Sequence, residues 1–313
     1  MPRWYITAAN FKMKKYLIVL SALVLFAFSS CSKITLSGNN ITKEFSIDGP
    51  YTELAVENAF DVTVSDAVSQ ITVTTDENVM PRVRVEQIGE KVRIYLKPLT
   101  VNSGMELKVL VPHNVDLNTV TLSGASEFHT SFGLNGRSIQ MGLSGASSAY
   151  CDIQSEGVYV NLSGASDFRG NINADDVTVR LSGASNFYGD ILADEIDMDL
   201  TGASNIEGKV DATELDVDLG GASDAIFEGQ VTTLKIDLVG SSNIVKKVIG
   251  NRYALICGNC EGEMSGSSDA YIHCDGNIRV NLSGASELHF TGEAFTADSH
   301  ITGGSGIIHD VLP

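Results

Sequence analysis

Five aspartates fall at two paired positions of a recurring phrase. Asp197 and Asp199 come first, Asp216 and Asp218 follow nineteen residues on, and Asp237 comes nineteen residues later, with Lys235 where a third partner would stand. On adjacent strands about 4.8 Å apart, two such carboxylates repel by about 0.9 kcal/mol even in water. The group that relieves such a stack is a hard cation taking oxygen ligands, Ca²⁺ above all. Asp197, Asp199, Asp216, Asp218 and Asp237 are therefore the candidate metal ligands of a weak Ca²⁺ site, with Arg180 and Lys235 at its flanks. The plain alternative is a solvated acidic face, neutralised in part by these two bases and screened by salt.

Other residue types offer less. Cys257-Gly-Asn-Cys260 is a CxxC pair, with Cys274 after it and Cys151 before it in the chain. It has no helix N-terminus to depress a thiol pKa and no second close pair to complete a zinc site, so Cys257, Cys260 and Cys274 read as a structural disulfide or as buried thiols. The six histidines, His113, His129, His273, His289, His300 and His309, share no column in adjacent repeats, and the sequence assembles no metal site from them. A column of serines has no histidine column beside it to make nucleophiles of them. The acids and bases on one face are also similar to the arrangement in polysaccharide lyases. In that reading Asp199 and Asp218 would hold Ca²⁺ and Arg180 would take the proton of a uronate. Against it, the repeats carry almost no insertions that could build a cleft. Tyr150, Tyr188 and Tyr271 could stack on sugars, although tyrosines on a strand face more often pack across strands. No catalytic residue is assigned.

The spacing that aligns these residues comes from a repeat. Leu122-Ser-Gly-Ala-Ser126 recurs with anchors at Leu143, Leu162, Leu181, Leu200, Leu219, Leu238, Met264, Leu282 and Ile301, at a period near 19 with one lengthened copy of 26 residues. Gly stands two places after each anchor and Ser four places after, in all ten copies. Apolar residues alternate with period two before each anchor, as in Ile196, Met198 and Leu200, which predicts a half-buried strand. The Gly then lets the chain turn a corner. No stretch of helical periodicity separates the strands. A fixed short period of strands is the mark of a solenoid, so the prediction is an all-β parallel solenoid of about ten 19-residue coils over residues 119–313. Residues 31–118 lack the repeat but alternate well, as in Phe60-Asp61-Val62-Thr63-Val64, and read as a β-rich head covering the first open sheet edge.

The alternating head around Ala59-Phe60-Asp61-Val62, followed by Leu-Ser-Gly-Ala-Ser coils, resembles the lipoprotein-like head GIN domain family of auto-transporter adhesins. The resemblance extends over nearly all of the chain after residue 30. Ala59-Phe60-Asp61 stands where that family shows a Gly-Ile-Asn triplet. The resemblance implies a right-handed parallel β-helix with a β-rich head, and an adhesive role.

At the N-terminus, Met13-Lys14-Lys15 precedes the apolar run from Tyr16 to Phe28 and then Phe28-Ser29-Ser30-Cys31. This resembles a signal peptide over residues 1–30 with its start at Met13, and a lipobox whose Cys31 is lipidated. Acyl chains on one cysteine hold a protein on a membrane without a span, and Ser32 is similar to outer-membrane sorting. A net charge of −18 leaves no basic footprint for nucleic acid. The reading is a non-enzymatic, lipid-anchored envelope protein of the outer membrane, exposed on either its periplasmic face or the cell surface, that binds glycan or protein. A lyase-like enzyme and a structural spacer are its alternatives.

Overall fold

The computed structural model describes residues 32–101, 104–297 and 299–313. Each coil is built alike, and the one around Leu200 serves as example. In strand Glu195–Leu200, Ile196, Met198 and Leu200 are buried while Glu195, Asp197 and Asp199 face out, as period two requires. The strand pairs in parallel with Asp176–Leu181 on one side and with residues 214–219 on the other, so that Leu181, Leu200 and Leu219 are direct neighbours. The anchors from Leu122 to Leu282 are all essentially without solvent exposure. A second inward column, Phe128, Ala149, Phe168, Phe187, Ile206 and Ala225, fills the other side of the core. Phe168 and Phe187 stack in it with ring centroids 5.0 Å apart.

The corners explain the invariant letters. At Gly202 φ is +85°, and a Cβ there would lie 2.5 Å from the carbonyl oxygen of Gly183 in the coil below, so both backbone conformation and closeness of the coils demand glycine. The serine that follows is buried, and its hydroxyl donates to the carbonyl three residues back, as Ser204 Oγ does to Thr201 O at 2.8 Å. It thus satisfies a group of its own corner. At the corners, side-chain bonding between neighbouring coils comes from the hydroxyl directly after the anchor where one is present, as in Ser182 to Leu162 O and Thr201 to Leu181 O, and from the corner serine Ser242, which also donates to Leu219 O. In the lengthened coil the additional residues form a small hairpin, Val248–Ile249 against Arg252–Tyr253. Tyr253 is fully buried and donates to Asp310.

The head joins this stack directly. Strand Glu53–Val56 pairs in parallel with Thr119–Leu122, and Asp61–Ser65 pairs in parallel with Glu127–His129. Residues 53–65 therefore form a coil of their own, with Asn58 (φ +82°) opposite Gly124 at the corner. Outside it lies the next layer, Lys91–Leu96 and Lys108–Pro112, again parallel. The order in space thus differs from the order in the chain, because the later 91–112 segment stacks beyond 53–65 before the chain returns to residue 119. Antiparallel strands Val83–Ile88 and Ile71–Asp76, the latter also carrying Asn40–Phe45, complete the outer end. That arrangement blunts an edge which would otherwise invite pairing with other chains.

Candidate functional site

The parallel register sets the acidic residues in two outward columns. One reads Asp197, Asp216, Lys235, Glu261 and Arg279, and the other Asp199, Asp218, Asp237 and Glu263. The first alternates in charge after Asp216, and Lys235 pairs with Glu214. The second is purely acidic. Burial first, then the charges of Asp216, Asp237 and Asp199, raises the Asp218 carboxyl above the usual range. Asp216 is raised as well, chiefly by burial, which the neighbouring Lys235 opposes and to which Asp197 and Glu214 add smaller contributions. The five aspartates line up as a ladder and do not converge on one point. Among the described residues, the one group of three metal-ligating atoms lying within 4.8 Å of one another is elsewhere, at Asp61, Glu127 and His129. Arg180, opposite Asp199 in register, leans the other way, its guanidinium 5.7 Å from the ring centre of Tyr159. The base and the acids of a lyase-like centre are therefore not brought together.

Cys151, Cys257, Cys260 and Cys274 are free and buried. Burial pushes the Cys151 thiol up to about 12 and also raises Cys260. Cys257 stands opposite Cys274 on the neighbouring strand; hydrogen bonding to that thiol, and then burial, makes Cys257 the harder of the pair to ionise. These are packing groups of the core. The three tyrosines are engaged within the protein. Tyr150 stacks on His129, Tyr271 stacks on His289, and Tyr188 lies under the Arg169 guanidinium at 4.2 Å. Cys31 lies outside the described residues.

A groove that the sequence reading did not single out runs along the solenoid across five coils, with a volume of about 590 Å³. Its upper row is Asn135, Gln154 and Asn173, one coil apart in register, continued by Leu192 and Asp211. Buried Leu134, Ile153 and Ile172 alternate with the three amides and turn them outward. Among the described residues their side-chain amides make no hydrogen bond, whereas the neighbouring row is used up internally. There Asp152, Asn171 and Asp190 accept from the backbone N–H of the next coil at 2.8 to 3.0 Å. Phe132, stacked on His113 at 4.1 Å, closes one end, and the Lys209–Asp211 ion pair closes the other. The signal in the sequence was the 19-residue spacing of amides at 135, 154 and 173, obscured because the letters differ and the column leaves the anchor motif.

The fold is an all-β solenoid with a β-rich head built onto its first coil. The chain belongs to the head GIN domain family, described as "Putative auto-transporter adhesin, head GIN domain", which it matches over residues 50–193 and 187–294. Similar solved structures include a "putative adhesin" from Parabacteroides merdae, 16% identical, covering 90% of this chain and 100% of its own, with a TM-score of 0.48. Another is a "putative lipid binding protein" from Parabacteroides distasonis, 18% identical, covering 89% of this chain and 100% of its own, at 0.46. A "putative adhesin" from Bacteroides fragilis is 14% identical, covers 88% of this chain and 100% of its own, and scores 0.32. Among curated proteins none matches the sequence.

Proposed function

We propose that this protein is a non-enzymatic adhesin of the cell envelope, lipid-anchored through Cys31 to the outer membrane, and that its solenoid groove binds an extended, uncharged glycan. The observation that carries the reading is the row of three exposed amides, Asn135, Gln154 and Asn173, that repeats at the coil spacing along the groove and makes no side-chain hydrogen bond among the described residues. An amide offers two donors and an acceptor, the complement of sugar hydroxyls, and Phe132 supplies a flat apolar surface at one end. A net charge of −18 repels acidic polymers at long range and leaves neutral ones unaffected. The same charge disfavours a uronate substrate.

The test is a glycan array probed with the chain from Ser32 onward, alongside the triple variant Asn135→Ala, Gln154→Ala, Asn173→Ala. Each hydrogen bond lost is worth about 0.5 to 1.5 kcal/mol, so affinity for neutral glycans should fall at least tenfold while the melting temperature stays put. Undiminished binding by the triple variant, or binding confined to acidic glycans, refutes the groove as the site.

A further inference from the structure

The head and the first repeat coil meet at a cluster that the 19-residue period does not predict. Asp61 begins strand Asp61–Ser65, and Glu127 stands directly opposite it on Glu127–His129, with His129 opposite Thr63. Val62 and Phe128 between them are fully buried, so Asp61, Glu127 and His129 share the outward face. His129 Nε2 lies 3.3 Å from Glu127 Oε2 and 3.8 Å from Asp61 Oδ1. The imidazole is held by stacking on Tyr150, with centroids 4.5 Å apart and planes 6° from parallel.

Other histidines of this protein show what is unusual here. His289 gives one ring nitrogen to Asp310 and the other to Glu287, and His273 meets Thr291 and Asp275 with separate nitrogens. In both, each ring nitrogen has its own partner. At His129 two carboxylates converge on a single nitrogen, which carries at most one proton. Lys108, opposite Asp61 on the other side, makes its ion pair with Glu106. We infer that Asp61, Glu127 and His129 bind one divalent transition-metal ion of the zinc type, tying the head to the solenoid.

The geometry suits that ion. Ligands about 2.0 to 2.2 Å from Zn²⁺ in a tetrahedron stand about 3.3 to 3.6 Å apart, close to the separations about Nε2. An imidazole among the donors selects a borderline ion over Ca²⁺ or Mg²⁺, which take oxygen. Three protein ligands leave a fourth position for water or for a donor from outside. Because the ligands come from strands separated in the chain, the ion would bind the folded joint and not the unfolded chain, and would stabilise it accordingly.

Zn²⁺ titrated calorimetrically into the chelator-stripped full chain should bind one to one and raise the melting temperature. Affinity should drop at least tenfold in His129→Gln and in Asp61→Asn, and should be kept in His300→Gln, an exposed histidine outside the cluster. Co²⁺ should give a visible spectrum without the intense thiolate band that binding at the cysteines would produce. Millimolar Ca²⁺ should not displace Zn²⁺. Zn²⁺ binding that survives both His129→Gln and Asp61→Asn, a thiolate band, displacement by Ca²⁺, or no binding at micromolar Zn²⁺ each overturns the inference. Glycan binding through the groove stands or falls separately.

Discussion

Replacing Gly202 by Ala adds a single methyl group, yet it should be among the most damaging surface changes available to this protein. Gly202 has φ +85°, and a Cβ there would sit 2.5 Å from Gly183 O, with Gly183 N at 3.1 Å. Holding a residue other than glycine in the left-handed region costs about 1 to 2 kcal/mol, and forcing an atom into a packed contact adds typically 1 to 3 kcal/mol. The contacting atoms are backbone of the adjacent coil and have no side-chain freedom with which to yield. A loss of roughly 2 to 5 kcal/mol is a large part of a stability that for folded domains is about 5 to 15 kcal/mol. In a stack held by neighbour contacts the damage should spread from the 183/202 junction. Gly157 is the control, since it has no positive φ and a Cβ there meets nothing within 4 Å. Urea unfolding followed by circular dichroism should therefore show an unfolding free energy well below wild type for Gly202→Ala, and one within about 0.5 kcal/mol of it for Gly157→Ala. Equal stabilities for the two variants would refute the argument that the left-handed corner and the close approach of the next coil together fix the glycine column.

The acidic column makes a prediction of opposite sign. The Asp218 carboxyl is raised in the folded protein, so its ionised form subtracts stability at neutral pH, and the loss is recovered as pH falls through the folded value towards the unfolded one. Asp218→Asn should then stabilise at pH 7 by about 0.5 to 1 kcal/mol after allowing for solvent screening, less in 1 M NaCl, and not at all once the carboxyl is protonated. A variant gain that is independent of both pH and salt contradicts this account. For the anchor, mass spectrometry of the mature N-terminus should find acylated Cys31, and Cys31→Ala should release the protein from membranes. An unmodified mature start elsewhere counts against lipidation.

What could be read from the sequence follows from how each feature is encoded. The coils were legible because the corner imposes the same demands over and over, no Cβ at one position in all ten copies and a small buried hydroxyl two residues on in nine of them, so Gly and Ser recur while their neighbours vary. Strand polarity was legible for the same local reason, with Ile196, Met198 and Leu200 alternating against Glu195, Asp197 and Asp199 within six residues. The columns of aspartates were also placed by counting. Their failure to gather around one point was not, because counting gives positions along a ladder and says nothing about where long side chains such as those of Lys235 and Arg180 swing.

The head hid its coil because other residues meet the same geometric demands there. Asn58 takes the left-handed corner conformation that glycine takes elsewhere, asparagine being one of the few other residues that tolerates it. Phe60, fully buried, fills the place of the corner serine. Without those letters the 53–65 coil has no visible period, and the later 91–112 segment stacks outside it against chain order. The distance from Asp61 to His129 along the chain is thus not a multiple of any repeat, and their meeting depends on a non-local stacking choice. That choice is made by burial: Leu54, Val56, Val62 and Val64 need apolar cover on both neighbouring coils. The same insertion brings an acid from the head beside an acid and an imidazole from the body. Joints between a repeat and its cap are therefore where this architecture can assemble chemistry that a uniform ladder of like residues cannot.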